Sequence, residues 1–132
     1  MTASIKSTTA PVLALLTATL LTGCGDDGRY QISGAATFQG NPIATGEVRL
    51  TPDTSTGNRG PAVLAMIREG RYQTPADKGV LGGHYVLRVT GYGAAPVSND
   101  PTAPDFGRPL FRVQQLFVEL PQEDFEYDIK IE

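Results

Sequence analysis

The feature that most constrains this fold is a strict alternation of apolar and polar residues, which recurs along most of the chain after residue 29. The clearest example is the last, in which Phe125, Tyr127, Ile129 and Ile131 alternate with charged residues. A period of two places successive side chains on opposite faces, as in a β-strand with one buried face. No stretch after residue 29 has apolar residues at helical spacing. The pattern therefore predicts an all-β domain.

Glycine and proline divide these alternating segments into short strands. The chain contains 15 glycines and 10 prolines, which end strands and form tight turns. Glu69-Gly70 is predicted to form a tight hairpin turn, with glycine supplying a positive φ. Seven strands at intervals of about 8–12 residues are typical of an antiparallel sandwich. We therefore predict a seven-stranded antiparallel β-sandwich, of prealbumin-like or immunoglobulin-like type. Its strands are expected within residues 30–39, 47–51, 62–68, 71–74, 84–90, 116–120 and 125–132.

One of these strands, Ala62–Arg68, differs from the others because both of its faces are apolar. Leu64 and Met66 alternate with Val63, Ala65 and Ile67. Strands that are covered on both faces have apolar residues throughout. The pattern therefore predicts a central strand that is buried on both sides.

The N-terminus has the plan of a secretory signal. Lys6 precedes the apolar run Pro11–Leu21, which is too short to span a hydrocarbon core of about 30 Å. The run ends in Leu21-Thr22-Gly23-Cys24, which resembles the lipobox at which bacterial lipoproteins are cleaved. The resemblance implies removal of residues 1–23 and acylation of Cys24, with palmitate among the attached chains. The alternative is an ordinary cleaved signal with a free cysteine nearby.

The leader defines the predicted domain organisation and location. We expect a lipoprotein signal peptide over residues 1–23, a tether over 24–29 and one β-domain over 30–132. The tether, fully extended, reaches about 20 Å, so it keeps the domain close to the membrane. Aspartate directly after the acylated cysteine resembles an inner-membrane retention signal. Gly25 occupies that position, so we expect a lipid-anchored envelope protein of the outer rather than the inner membrane.

Three groups of motifs resemble the carboxypeptidase-regulatory-like, transthyretin-like domains of small bacterial lipoproteins. The opening contains Ser33-Gly34, Gly40-Asn41-Pro42-Ile43 and Gly46-Glu47-Val48. The middle contains Gly60-Pro61-Ala62, Gly70-Arg71-Tyr72 and the segment 82–89, and the ending contains the segments 109–111, 118–121 and 125–129. The resemblance covers about residues 30–132. It implies a prealbumin-like sandwich that is usually non-catalytic and has no established ligand.

The same resemblance gives no reason to expect hydroxyisourate hydrolase activity. Those related enzymes carry several catalytic histidine and arginine residues and a Tyr-Arg-Gly-Ser tail. This chain has one histidine and ends in Lys130-Ile131-Glu132. That activity is therefore not implied.

Charge argues against a nucleic-acid partner. The formal net charge is −3, whereas nucleic-acid binding requires a basic patch. The basic residues are scattered singly in the sequence, as at Arg49, Arg59, Arg68, Arg88 and Arg112. The spacing predicts no basic cluster and no nucleic-acid partner.

The sequence contains no assembled reactive site. His84 is expected to face solvent, and one histidine with one lipidated cysteine cannot supply the usual four ligands of structural zinc. Asn99, Asp100 and Asp105 offer oxygen ligands for calcium, but they lack the spacing of a calcium-binding loop. The late acidic residues are expected on a solvated face: Glu119, Glu123, Asp124, Glu126 and Asp128. We therefore expect no enzyme, no metal and no cofactor.

The remaining candidates for binding are two aromatic residues in the long connection Gly91–Pro109. Tyr92 and Phe106 fall there, whereas the other tyrosines fall on inward phases. They predict either an exposed aromatic contact or a loop that packs back over a sheet edge. The first hypothesis is a membrane-anchored, non-catalytic module that contacts an envelope protein. Alternatives are a small-molecule or carbohydrate-binding module and, third, a hydrolase.

The anchor hypothesis is tested by replacing Cys24 with alanine. The substitution removes the predicted acyl acceptor, so we expect the protein to leave the membrane fraction, and intact mass should show acyl chains on the wild type alone. A Cys24→Ala protein that still sediments with membranes after a high-salt wash would contradict the anchor.

Overall fold

The computed structural model describes residues 2–3 and 28–132. The signal peptide, Cys24 and most of the predicted tether lie outside the described residues, so the expectations for them stay predictions. Residues 28–132 form an all-β domain with almost no helix, as the alternation predicts. Its strands are β1 (Ile32–Phe38), β2 (Asn41–Pro42), β3 (Thr45–Pro52), β4 (Val63–Arg68), β5 (Arg71–Gln73), β6 (Gly83–Tyr92), β7 (Gln114–Leu120), β8 (Phe125–Glu126) and β9 (Ile129–Ile131), with one 3-10 turn at Thr54–Thr56.

Seven of the strands form a curled antiparallel sheet with the shape of a half-barrel. They are connected in the order β2-β1-β5-β4-β3-β6-β7, with β2 and β5 on successive parts of the same edge of β1. The short strands β8 and β9 join this sheet by pairing in parallel with β1. The predicted all-β, antiparallel arrangement with seven strands is confirmed at this level. However, the predicted strand 125–132 pairs in parallel with β1, and the seventh antiparallel strand is β2, which was not predicted.

The inner face of the curl carries the hydrophobic core. Alternate residues of β1, β3, β4 and β6 are buried there, as the period of two predicts, and those of β7 are partly buried except Leu120, which is buried. Ile43 and Val80 come from connections between strands and join the same cluster. The strand residues of the core are Ile32, Ala36, Val48, Leu50, Val63, Ala65, Ile67, Tyr72, Tyr85, Leu87, Val89, Leu120, Ile129 and Ile131.

The expectation that Ala62–Arg68 is buried on both sides is wrong. The strand is central, since β4 lies between β5 and β3. However, Leu64 is 41% exposed and Met66 is 40% exposed, while Ala65 and Ile67 are buried. The reason is that the sheet curls around a single core, which covers only the inner face of each strand. We call the opposite face of β3–β7 the outer face.

Two local hairpin turns follow directly from their sequences. At Glu69-Gly70 both residues have positive φ, 50° and 77°, which is the geometry of a two-residue type I′ turn. Gln39 and Gly40 form the corresponding turn between β1 and β2, with φ of 49° and 79°. The tight turn expected at Glu69-Gly70 is therefore confirmed.

The C-terminal segment was predicted as one strand, but it forms two. β8 and β9 keep a common register along β1, with Phe125 opposite Ile32 and Ile129 opposite Ala36. Between them, the Asp128 carboxylate accepts a hydrogen bond of 2.9 Å from the Ala35 backbone N–H. A side chain thus replaces a backbone acceptor and interrupts the ladder.

Two of the acidic residues expected on a solvated face therefore have a structural role. Besides Asp128, Asp124 accepts a hydrogen bond of 2.8 Å from the backbone N–H of Gln31, just before β1. Hydrogen bonds to ionised groups are shorter and stronger than neutral ones. The carboxylates attach the end of the chain to its first strand. Phe125, which was expected on the inward phase, lies exposed at the start of β8.

Gly34 marks the crossing point of three segments. Tyr72 lies opposite it on β5, and the Tyr72 hydroxyl donates a hydrogen bond to the Tyr127 carbonyl on the other side of β1. A Cβ at Gly34 would overlap that carbonyl oxygen, so only glycine fits. Burial, and then the nearby Tyr127, Asp128 and Glu126, raises the pKa of the Tyr72 phenol. Tyr72 therefore stays protonated as the donor.

The crossing at Gly34 is tested by Gly34→Ala. The added methyl would push Tyr127 away from β1, and overpacking of this kind costs about 1–3 kcal/mol. We expect the free energy of unfolding, measured by chemical denaturation, to fall by at least that amount.

The matched control is Gly93→Ala, because a Cβ at Gly93 meets its nearest neighbours only at 3.8 and 3.9 Å. Its effect on the free energy of unfolding should stay within about 0.5 kcal/mol. Equal losses in the two variants would contradict the crossing.

Candidate functional site

The two ends of the long connection after β6 lie side by side and are joined by backbone hydrogen bonds. Gly93 N–H donates to the Arg108 carbonyl at 3.0 Å, and Leu110 N–H donates to the Gly91 carbonyl at 2.9 Å. We call residues 93–108 the far loop. Tyr92 was expected inside this connection, but it forms the last residue of β6 and bridges to Pro109. Strand β6 continues because its partner β3 extends to Thr45, opposite Tyr92.

The structure brings the two predicted binding residues together. The ring centroids of Tyr92 and Phe106 are 5.4 Å apart, with the rings tilted by 33°. Aromatic pairs in this range add about 0.5–1.5 kcal/mol to the gain from burial. Phe106 remains 46% exposed. The loop therefore folds back onto the end of β6, and Phe106 still presents part of its ring to solvent.

Topology directs the far loop and the predicted tether away from each other. Each step from β1 through β5, β4 and β3 to β6 is antiparallel, so β1 and β6 run in the same direction. The predicted tether leads into the start of β1, and the far loop follows the end of β6. The registers place Ile32 of β1 level with Val89 of β6, so the start of β1 and the end of β6 are offset by three residues, or about 10 Å, along the strands. Four strand spacings, about 19 Å, separate them across the sheet.

The calcium candidates belong to a turn that satisfies its own polar groups. One carboxylate oxygen of Asp100 accepts hydrogen bonds from the Thr102 backbone N–H at 2.8 Å and from its hydroxyl at 2.7 Å. These bonds, the backbone one first, lower the pKa of Asp100. Asn99 and Asp105 lie in the same loop. Across residues 2–3 and 28–132, no three His, Cys, Asp or Glu side chains group as a metal site would require.

His84 lies where the sequence predicts it. Its side chain is exposed at the start of β6, opposite Glu119 of β7. Its backbone carbonyl accepts from the Asn58 side chain at 2.7 Å and from Asp53 N–H at 2.9 Å. The residue therefore helps to hold the loop between β3 and β4, and the predicted solvent-facing orientation is confirmed.

Sequence reasoning missed a cluster of arginines on the outer face. Arg49 of β3 lies directly opposite Arg88 of β6, and Arg68 of β4 lies directly opposite Arg71 of β5. Like charges in directly opposed positions destabilise a sheet. The expectation that the basic residues are scattered is wrong in three dimensions, because pairing register brings together positions that are far apart in sequence.

The two arginine pairs differ in whether a carboxylate forms an ion pair with one of their guanidinium groups. Arg71 forms an ion pair with Glu126, with Nη2 and Oε1 3.5 Å apart and both side chains solvent-exposed. No other ion pair is found among the residues that the structure describes. Arg49 and Arg88 therefore face each other without a bound carboxylate.

The Arg49–Arg88 pair borders two adjoining depressions, which we together call the arginine groove. The head pocket has a volume of about 180 Å³, and the tail pocket has a volume of about 440 Å³. Thr90 and Val113 line both, so the two pockets are adjacent. The head pocket is completed by Glu47, Arg49 and Arg88, and the tail pocket by Gly91, Tyr92, Pro109, Phe111 and Arg112.

Thr90 has an unsatisfied hydroxyl at the junction of these pockets. Its Oγ1 is buried and has no hydrogen-bond partner, the one such side-chain atom in the described part of the chain. Burying a hydroxyl without a partner costs about 1–3 kcal/mol in proteins. The groove thus combines an unneutralised cationic pair with an unused polar group.

Comparison with known proteins found no family model and no curated protein that matches this chain. The resemblance to carboxypeptidase-regulatory-like domains therefore stays a prediction. Within residues 2–3 and 28–132, none of the helical structure has the length and apolar character needed to cross a bilayer. The remaining indications of function are the far loop and the outer face.

The Asp100 turn is tested by NMR titration of side-chain carboxyls. We expect Asp100 to titrate below the ordinary aspartate value of about 3.9, because two hydrogen bonds favour its charged form. Thr102→Val removes the hydroxyl donor and should move the midpoint upward. A peptide of residues 96–106 serves as the reference, and an Asp100 midpoint equal to that of the peptide would show that the turn does not form.

Proposed function

We propose that this protein is a lipid-anchored, non-catalytic β-domain of the cell envelope that contacts an envelope protein through its far loop. One observation carries the proposal: β1 and β6 run in the same direction, so the predicted tether before β1 and the far loop after β6 extend from the sheet in opposite directions. A rigid sheet between an anchor and a contact loop holds the loop at a fixed distance from the attachment point.

The composition of the far loop supports a contact role. Residues 94–102 are all exposed, and Val97 is exposed together with Phe106. Aromatic residues are enriched in protein interfaces, where they bury a large area at low entropic cost. Phe106 is supported from beneath by Tyr92, so its exposed edge is held in one place.

The non-catalytic part of the proposal is supported by the roles of the two groups with shifted pKa values. Tyr72 is a hydrogen-bond donor to the C-terminal segment, and Asp100 is an acceptor within its own turn. Shifted pKa values often mark catalytic sites. For Asp100, hydrogen bonds within its own turn lower the pKa. For Tyr72, burial raises the pKa, and its hydroxyl is used as a structural donor.

We further propose that the curled sheet is a distorted prealbumin-like sandwich in which β1 turns the corner. The first half of β1 pairs with β5 and β8, and its second half pairs with β2 and β9. Strands that pass from one sheet to another form corners of this kind. This arrangement agrees with the family resemblance in the sequence.

The contact role is tested by crosslinking in cells followed by mass spectrometry of the captured partners. In a shortened variant, Asn-Gly replaces residues 94–107, which preserves the closure at Gly93 and Arg108 as a two-residue turn. We expect this variant and Phe106→Ala to lose the captured partner while remaining in the membrane fraction.

The matched control is Phe117→Ala, which removes an aromatic side chain that is 73% exposed on the outer face and outside the far loop. It should keep the partner. If the shortened variant captures the same partners as wild type, the far loop is not the contact surface.

A further inference from the structure

We propose that the arginine groove is a binding site for an amphiphilic anion, with a phosphate or carboxylate head between Arg49 and Arg88 and an apolar tail in the tail pocket. The site goes beyond the proposed contact role. It depends neither on the lipid anchor nor on the exposed part of the far loop.

The head group is indicated by the opposed guanidinium groups. Directly opposed residues on antiparallel strands have Cβ atoms about 4.5–5.5 Å apart, so Arg49 and Arg88 can approach one anion from two sides. Each guanidinium presents a planar fork of N–H donors that fits phosphate or carboxylate oxygens. An anion between them also removes their mutual repulsion.

Charge at the groove favours an anion despite one carboxylate in its wall. Glu47 lines the head pocket beside the two arginines, but no ion pair joins it to either of them among the described residues. Arg112 adds a third guanidinium at the tail pocket. The cationic groups therefore outnumber the anionic one, in a chain whose net charge is −3.

Thr90 supplies a further donor at the junction of the pockets. Its hydroxyl has no partner, although the residue as a whole is only partly buried. Rotation of χ1 by about 120° to another staggered position moves the hydroxyl to the place that the methyl group now occupies. A bound head group would give the rotated hydroxyl an acceptor that the protein itself does not provide.

The tail is indicated by the walls of the larger pocket. Its volume of about 440 Å³ lies within the range of small-molecule sites. Tyr92, Pro109, Phe111 and Val113 present apolar surface to it. Phe111 is fixed from behind by Phe38, with ring centroids 5.1 Å apart. An apolar chain would cover Val113, which is exposed in this structure.

The test is titration of the full, non-acylated chain with octyl phosphate below its micelle concentration, followed by calorimetry and amide NMR. Octyl glucoside has the same tail and a neutral head, and inorganic phosphate has the head alone. We expect octyl phosphate to bind at least tenfold more tightly than either probe, with the largest amide shifts at residues 88–92 and 111–113.

Point variants separate the head contacts from general folding effects. Arg49→Gln and Arg88→Gln should each weaken octyl phosphate binding about tenfold, the usual size of a lost charged hydrogen bond. Arg59→Gln is the matched control, because Arg59 is exposed in the loop after the 3-10 turn. This variant should bind octyl phosphate as tightly as wild type does. Amide spectra verify that each variant is folded.

Thr90→Val is the most discriminating variant, because we expect it to stabilise the free protein and to weaken ligand binding. Removing an unsatisfied buried hydroxyl should raise the melting temperature of the free protein. The same change should weaken octyl phosphate binding severalfold. A variant that is more stable and binds equally well would mean that Thr90 does not serve the ligand, and would remove that part of the site.

Vesicles distinguish the two sources of such a ligand. Binding to monomeric octyl phosphate without recruitment to phosphatidylglycerol vesicles supports a free amphiphile, and recruitment that requires Arg49 and Arg88 supports a membrane lipid. Phosphatidylcholine vesicles are the neutral control. The proposal is overturned if octyl phosphate binds no better than octyl glucoside, or if the arginine variants bind as wild type does.

Discussion

The fold depends on the parallel pairing between β1 and the end of the chain. β1 is hydrogen-bonded along both edges, to β5 and β2 on one side and to β8 and β9 on the other. Asp124 and Asp128 complete the second edge where backbone acceptors are missing. The contact at Gly34 is close enough to exclude any side chain. These interactions hold Ile32 and Ala36 over the core, so the inner face of the curl stays covered.

Much of the fold could be predicted because alternation is a local property. The inward phases of β3, β6 and β9 are confirmed, as is the turn at Glu69-Gly70. The double strand β8 and β9 could not be predicted, because its interruption depends on a carboxylate of Asp128 reaching a distant backbone N–H. The exposure of Leu64 and Met66 was also missed. Apolar composition alone does not distinguish a second buried face from an outer face that stays open.

The candidate sites show the same division between local and non-local information. Tyr92 and Phe106 could be selected because they are aromatic residues in a long connection that lacks the alternating pattern of a strand. Their contact with each other could not be predicted, because it depends on the backbone closure at Gly93. The Arg49–Arg88 pair could not be selected, because the two residues are 39 positions apart in sequence and only the register of β3 on β6 brings them together. The position of each arginine in the alternating pattern does predict that its side chain lies on the outer face, and this signal was available.

The position of β8 and β9 has a consequence for biosynthesis. Segment 125–131 is the last of the described strands to leave the ribosome, yet it pairs with β1, which is the first. A nascent or prematurely terminated chain that lacks this segment leaves one edge of its first strand open and its core partly uncovered. Such a chain offers proteases and chaperones an accessible backbone. The sheet is therefore completed only after segment 125–131 is available to pair with β1.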